Sequence, residues 1–449
     1  MGRLFGTDGI RGIFGQEPIT PEMGFKVGRA AVRHCLQEER SPNIIVGRDT
    51  RFSGEVLERA IVSGVLSEGG KSLLVGVLPT PGVAFITREV GAGAGIVISA
   101  SHNSYEYNGF KIFSNRGYKF SQKEESAIEE LISSDMGSLS DGGDLDEGQY
   151  LNDAGEGYVS FLKTTLTGEQ TFEGMKIVLD CANGATHAVA PVLFRGLGTE
   201  VESLFDKPDG KNINQGCGSQ YPQILSSRVV ETGADAGLAF DGDGDRLIAV
   251  DEKGEALTGD QILIICAKML KDRGDLKNSL VVSTVMSNLG FRIALKELGL
   301  AHLATKVGDR FVLEGMRAKG AVLGGEDSGH ILFLKHHTTG DGLLTALQLL
   351  SAMKIFKLPL SFLSTLMTRF PQSLLNVPVK RKPEISSVPE LAAIMEKVER
   401  ELGEKGRVLV RYSGTEPVCR IMIEGEKKQE IDSYANLVAE VVRKSLNDS

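Results

Sequence analysis

The run Gly95-Ile-Val-Ile-Ser-Ala-Ser-His-Asn-Ser104 is an apolar, strand-like stretch that stops in a cluster of small and polar side chains. A buried strand thus delivers Ser101, followed at once by His102 and Asn103, to a polar loop where its hydroxyl can carry chemistry. Serines at such places also cap strands and open helices without reacting. Three further polar clusters tip the balance toward reactivity. In Asp241-Gly-Asp-Gly-Asp-Arg246, carboxylates alternate with glycines, placing hard oxygen ligands on a backbone free to wrap a small divalent cation. With Glu252 these acids also match the spacing of a calcium EF-hand. Ala239-Phe240 before the cluster and Leu247-Ile-Ala-Val250 after it read as strands instead of paired helices, and Arg246 stands where the calcium loop requires glycine. Magnesium held by Asp241, Asp243 and Asp245 is the expected reading.

The third cluster, Gly324-Gly-Glu-Asp-Ser-Gly-His330, follows the apolar strand Ala321-Val-Leu323. Glu326 and Ser328 there offer the hydrogen-bonding groups that hold sugar hydroxyls. The fourth, Arg411-Tyr-Ser-Gly-Thr-Glu-Pro417, follows the strand Arg407-Val-Leu-Val410. Its Arg411 guanidinium, Ser413 and Thr415 hydroxyls and Gly414 amide form a donor set suited to a phosphate dianion.

The elements that must position these loops repeat along the chain. Strand Ile44-Ile-Val46, a helix from Glu55 to Glu68, the stop Gly69-Gly70 and strand Ser72-Leu-Leu-Val75 form one βαβ unit. A second runs from Ile177-Val-Leu179 through a helical stretch ending at Gly196 to Glu200-Val-Glu202. The third runs from Leu280-Val-Val282 through Phe291–Glu297 and resumes after Gly299. After Pro371 the pattern changes to strands at Leu375–Val379, Val408 and Arg420–Ile423 and helices at Glu390–Glu404 and the C-terminus, an α+β module. The expected fold is α/β: three similar α/β/α domains with mixed, mainly parallel sheets (1–152, 153–255 and 256–367), then an α+β domain (368–449). Phe370-Pro371 reads as a hinge, and residues 136–148 as a surface loop.

At 449 residues the chain has ample apolar material for several cores. No apolar run reaches the roughly 20 residues of a membrane span, and no signal peptide pattern precedes the N-terminal motif, so a cytoplasmic protein is expected. Cys35, Cys181, Cys217, Cys266 and Cys419 are dispersed, as reduced thiols are. A net charge of −9 disfavours nucleic acid and anionic membranes as partners. An anionic substrate then has to be drawn by local cations.

The four clusters, in this order and at these separations, resemble those of the phosphohexomutase superfamily, the α-D-phosphoglucomutases and phosphomannomutases, over residues 2 to about 425. Gly2-Arg-Leu-Phe-Gly-Thr-Asp-Gly-Ile-Arg-Gly12, Gly47-Arg-Asp-Thr-Arg-Phe-Ser-Gly54 and Thr284-Val-Met-Ser-Asn-Leu-Gly290 are most similar to the bacterial members acting on glucosamine phosphates. Two positions depart from the usual pattern: Ser104 replaces a proline, and Asp327 a glutamine. The resemblance implies four loops around a central cleft and interconversion of glucosamine 6-phosphate and glucosamine 1-phosphate, feeding UDP-N-acetylglucosamine synthesis. Ser101 would carry the phosphoryl group and share the Mg²⁺ with the three aspartates, and glucosamine or glucose 1,6-bisphosphate would be intermediate or activator. It further implies Arg11 and Lys111 as site cations, with Lys111 or His102 as the proton shuttle and His330 behind them. Arg246, Lys306, Glu326, Ser328, Arg411, Ser413, Gly414 and Thr415 would bind substrate, in a chain able to form a homodimer. A phosphomannomutase or phosphoglucomutase with the same chemistry is the nearest alternative; a non-catalytic sugar-phosphate sensor or calcium-binding regulator is the distant one.

Overall fold

The structure, a computed structural model, describes residues 4–6, 8–134, 148–168, 170–413 and 417–447. Most of the expected surface loop over residues 136–148, as well as Gly414 and Thr415, lies outside the described residues. The chain divides into two compact units: Met1–Met286 with Gly299–Leu366, and Ser287–Leu298 with Met367–Ser449. The helix Leu289–Glu297, expected within the third domain, thus groups with the C-terminal unit.

Three sheets build the first unit. The first runs Ile10–Ile13, Tyr107–Ser114, Ala94–Ile98, Asn43–Arg48, Lys71–Val77, Gln149–Tyr150. The second runs Ala256–Leu257, Leu247–Asp251, Ala236–Phe240, Lys176–Asp180, Glu200–Leu204, and the third Ala301–Thr305, Leu280–Thr284, Leu323–Gly325, Ile331–Phe333. The strand pair of each predicted βαβ unit is parallel, as the intervening helix requires. Helix Gly54–Ser67 forms where Leu57, Ala60, Ile61 and Val65 recur at helical spacing and are buried. It meets helix Pro21–Gln37 backbone to backbone: a Cβ on Gly28 would lie 2.3 Å from the Ile61 carbonyl oxygen, and one on Gly64 2.0 Å from that of Phe25. Either glycine replaced by alanine would push the helices apart.

A regularity absent from the sequence reading emerges from the pairings. Each functional loop joins a central parallel strand to an antiparallel neighbour: Ala94–Ile98 to Tyr107–Ser114, Ala236–Phe240 to Leu247–Asp251, Leu323–Gly325 to Ile331–Phe333. The three loops are topologically equivalent. The sheet of the second unit is different: Gln372–Pro378, Val418–Gly425 and Gly406–Tyr412 pair wholly antiparallel, and the fourth cluster follows the edge strand Gly406–Tyr412.

Two local expectations need correction. The return from Ser101 to Lys111 suggests a turn over Tyr105–Asn108, but the turn ends earlier, because Tyr107 and Asn108 already pair with Ile13 and Gly12 of the distant N-terminal strand. The strand placed at Ala321–Leu323 is instead Leu323–Gly325. Helix Asp309–Lys319 crosses so closely that a Cβ on Gly324 would sit 2.6 Å from Met316 Sδ, so a glycine that looked like loop is strand. No described helix is long and apolar enough by itself to cross a membrane, and apolar Gly342–Phe356 is buried from Gly342 to Met353. All five cysteines are free and buried, and burial pushes the Cys266 thiol up to about 12.

Helix Gly342–Phe356 begins at Asp341, whose carboxylate accepts Leu344 N–H at 3.0 Å and the Tyr158 hydroxyl at 2.8 Å. Burial pushes this carboxyl up to about 7, against about 3.9 in an unfolded chain. Between these values the folded state holds a proton that the unfolded state has released. Stability therefore falls as pH rises through that window, by up to about 1.4 kcal/mol per pH unit from this group, and levels off above it. Asp341→Asn keeps the cap acceptor but cannot ionise. Its Tm relative to wild type is expected to climb between pH 5 and 7; a difference constant with pH would refute the ionisation.

Candidate active site

Ser101 is fully buried and has a φ of +51°, in the left-handed region that side chains seldom adopt. Its Oγ donates to Asp241 Oδ2 at 2.6 Å and lies 3.1 Å from His102 Nδ1. The loops of the first and second sheets therefore meet at the hydroxyl. Burial, then the nearby Arg246 and Arg11 cations, lower the His102 pKa to about 4, so the imidazole is neutral at physiological pH.

Strand Tyr107–Ser114 returns antiparallel from the serine loop and sets Lys111 opposite Val97. That places Lys111 Nζ, 1 % exposed, 2.7 Å from Asp243 Oδ2, 3.1 Å from Asp245 Oδ2 and 3.5 Å from Asp8 Oδ2. Burial alone would drive its proton off, yet the three carboxylates hold its pKa well above the usual lysine value. Asp8 also pairs with Arg11 and Lys119, and Lys119 reaches on to Asp309 of the third sheet's layer. Burial would raise the Asp8 carboxyl, but Lys111, Lys119 and Arg11 together hold it well below the normal range.

A divalent cation fits the aspartate cluster. Asp241, Asp243 and Asp245 can each point one oxygen into a space where those oxygens lie within 4.8 Å of one another. Asp243 Oδ1 and Asp245 Oδ1 are buried without a hydrogen-bond partner, which is costly unless an ion takes them up. Burial, then Asp245 and Asp243, push the Asp241 carboxyl well above its usual value, a crowding that Arg246 and the Ser101 hydrogen bond only partly offset.

The third loop approaches the same cluster through His330, 3 % exposed, with Nε2 3.9 Å from Asp245 and 4.0 Å from Asp309. Glu326 Oε1 accepts Gly308 N–H at 3.0 Å, tying its loop to the 305–310 segment. Arg246 donates its backbone N–H to Asp241 Oδ1, and its Nε lies 3.8 Å from Asp245. Arg11 Nη1 reaches Asn103 Oδ1 at 3.4 Å. Two predicted ligand residues are not brought into this contact network: Ser328 is exposed, and Lys306, also exposed, lies 6.0 Å over the Phe311 ring. Asp327 is committed elsewhere, its Oδ1 accepting Asp260 N–H at the start of helix Gly259–Asp272.

All four domain models of the phosphoglucomutase/phosphomannomutase family match: α/β/α domain I over residues 2–137, domain II over 156–254, domain III over 258–370 and the C-terminal domain over 374–441. The chain belongs to this family. Among curated relatives, phosphoglucosamine mutases of Syntrophus aciditrophicus and Syntrophobacter fumaroxidans are each 53 % identical, covering 99 % of this chain and all of theirs. The fold is shared with a phosphoglucomutase/phosphomannomutase family protein of Burkholderia thailandensis, at a TM-score of 0.82 and 24 % identity, covering 99 % of this chain and 98 % of that one. It is shared too with an N-acetylphosphoglucosamine mutase of Aspergillus fumigatus, solved with GlcNAc-6P and magnesium, at a TM-score of 0.69 and 16 % identity, covering 99 % and 96 %. The chain is accordingly a phosphohexomutase, an isomerase that moves a phosphoryl group within a sugar.

Within this phosphohexomutase the C-terminal unit gathers cations of its own. Arg411 and Arg420 stand directly opposite across the antiparallel pair, where like charges repel. Burial, then Arg420, lower the Arg411 pKa. Ser413 Oγ accepts Arg420 Nη2 at 3.4 Å, and the Ser413 carbonyl accepts Lys382 Nζ at 3.0 Å. A phosphate would relieve this crowding of cations. Arg420 escaped the sequence reading because it sits on the return strand, nine positions from Arg411 and outside the motif. Asp8, Lys119 and Asp309 escaped it because their relevance arises only when two layers meet; the acids and bases within the N-terminal motif and Thr305–Arg310 were the available signal.

Proposed function

We propose that the chain interconverts glucosamine 6-phosphate and glucosamine 1-phosphate, with Ser101 as phosphate carrier. The observation that carries this reading is the Ser101 hydroxyl, 2.6 Å from Asp241 at the edge of the buried aspartate cluster. In the forward half-reaction the sugar's C1 oxygen attacks phosphorus of phosphorylated Ser101. Its O–P bond forms as the P–Oγ bond breaks, giving glucosamine 1,6-bisphosphate and a free serine oxygen. The bisphosphate then turns end for end, and Ser101 Oγ takes the phosphoryl group from C6, regenerating the phosphoenzyme and releasing glucosamine 1-phosphate.

The proton lost from the C1 hydroxyl passes to a site base and is returned to the C6 oxygen. Neutral His102, beside Oγ, would take this proton, whereas Lys111, held protonated 2.7 Å from Asp243, would enter the shuttle as a donor. Asp241, Asp243 and Asp245 would hold Mg²⁺, which supplies charge stabilisation at the transferring phosphoryl group. Lys111, Arg246 and Arg11 spread positive charge around the same point. Glu326 would grip sugar hydroxyls, and Arg411 with Ser413 the phosphate that is not reacting. A serine phosphomonoester persists without catalysis, so the carrier survives between turnovers, and glucosamine or glucose 1,6-bisphosphate would recharge one that has lost its phosphate. Asp327 Oδ1 is engaged at a helix start, so any contact of this carboxylate with the C2 amino group would fall to Oδ2. The product's use in UDP-N-acetylglucosamine synthesis makes the enzyme cytoplasmic.

Two measurements test this reading. Intact mass of the purified protein is expected to show one added phosphoryl group, mapped to Ser101. Turnover of glucosamine 6-phosphate is expected to exceed that of glucose and mannose 6-phosphates. Equal or faster turnover of mannose 6-phosphate would instead make it a phosphomannomutase.

A further inference from the structure

The left-handed backbone at Ser101 is held from behind by two side chains. Arg51 is fully buried and its guanidinium is used on every side. Nε donates to Asp49 Oδ2 at 2.9 Å, Nη1 to the Ser104 carbonyl, and Nη2 to the carbonyls of Ser101 at 3.0 Å and Asn103 at 2.9 Å. From the second sheet's layer, Asn214 Nδ2 donates to the same two carbonyls, each at 2.9 Å. Asp49 also accepts Ser99 Oγ at 2.6 Å, and Ser99 Oγ accepts the Ser101 N–H at 2.9 Å, so the serine is gripped on both sides of its Cα. The metal-loop backbone closes the arrangement: a Cβ on Gly242 would lie 2.6 Å from the Ser101 carbonyl oxygen and 2.8 Å from Asn214 Nδ2.

A residue at φ +51° persists only where its surroundings over-determine it. Here two independent donors converge on each of two carbonyls, one from the nucleophile's own layer and one from the layer that carries the aspartates. We propose that Arg51 and Asn214 are positioning residues for the phosphate carrier, their shared grip on the Ser101 and Asn103 carbonyls fixing the direction in which Ser101 Oγ presents its phosphoryl group to the aspartate cluster. This rests on Ser101 being the carrier. Neither residue touches the reacting atoms. Arg51 acts as a planar fork, which a lysine's single ammonium does not reproduce.

The test uses the full-length phosphoenzyme, as wild type, Asn214→Ala and Arg51→Lys. The fraction phosphorylated is read by intact mass, the environment of the phosphoserine by its phosphorus-31 resonance, and kcat is expressed per phosphorylated serine. A misaimed carrier loses about 10- to 100-fold in kcat per phosphoserine, with KM for the sugar phosphate changed by less than about 3-fold, and its phosphorus resonance moves. Asn214→Ala removes no charge and keeps the proposal testable if Arg51→Lys does not fold. A clamp that merely supports the fold lowers the yield of folded enzyme but leaves kcat per phosphoserine and the resonance at wild-type values, and that result overturns the proposal. Wild-type enzyme without phosphate on Ser101 would overturn the carrier reading and the clamp together, whereas a phosphorylated wild type with an unaffected Asn214→Ala overturns the clamp alone.

Discussion

Ser101→Ala is expected to lower mutase turnover by about 10⁴-fold or more, since among the described residues no other side-chain hydroxyl donates to Asp241. The substitution removes the hydrogen bond to Asp241 and the contact with His102. It leaves Cβ, and with it the backbone preference at φ +51°, unchanged. Arg51 and Asn214 still hold the carbonyls, so the loop keeps its course. The lost hydrogen bond costs about 1 kcal/mol of stability, far too little to unfold the chain. Sugar phosphates should therefore still bind, measurable by calorimetry, while the added phosphoryl mass disappears and no glucosamine 1-phosphate accumulates. Wild-type turnover in this variant would mean that another group carries the phosphate.

Much of this was legible in the sequence, and the reason is local. Ile44–Val46, Ile177–Leu179 and Leu280–Val282 announce parallel strands by their apolar runs, and the glycine stops at 69–70, 196 and 299 mark where their helices end. The serine loop and the aspartate loop stood out because a hydroxyl and three acids at the end of apolar strands serve no packing purpose. What stayed hidden was whatever depends on non-local pairing. Tyr107 and Asn108 look like turn residues until the N-terminal strand pairs with them, and Gly324 looks like loop until a helix is laid against it. Lys119 and Asp309 are ordinary surface charges in sequence, 190 positions apart, and become an ion pair only when the first and third layers meet. Asp327, which departs from the usual glutamine, accepts a backbone N–H at a helix start, because the loop that carries it doubles back over residues 259–260.

The equivalence of the three loops explains why chemistry gathers where it does. In each of the first three sheets the chain leaves a central strand and returns antiparallel, so the loop between them projects from the same end of each layer. Ligands of open α/β sheets collect beyond the carboxyl ends of such strands. Three repeats of one architecture can therefore present three different loops to one sugar phosphate: serine in the first, carboxylates in the second, and the glutamate and histidine loop in the third.

Lys111→Met tests the charge balance that this convergence creates. The ammonium sits 1 % exposed between Asp243 and Asp245, with Asp8 at 3.5 Å. A methionine of similar length fills the space but leaves buried carboxylates facing one another without their cation. Breaking a buried ionic group in this way costs about 3–5 kcal/mol. The loss should appear as a lowered Tm in EDTA. Magnesium, binding the same carboxylates, is expected to raise the variant's Tm by more than it raises that of wild type, because it relieves repulsion that Lys111 already relieves in the native protein. Activity is a separate matter: with the cation gone from the transferring group's surroundings, kcat should fall by about 10²- to 10⁴-fold even at saturating magnesium. A variant that melts with wild type in EDTA and gains no extra protection from magnesium would show that Lys111 does not balance the aspartates. One that regains full turnover with added magnesium would reduce the lysine to a charge that a second ion can replace, and would leave His102 as the proton shuttle.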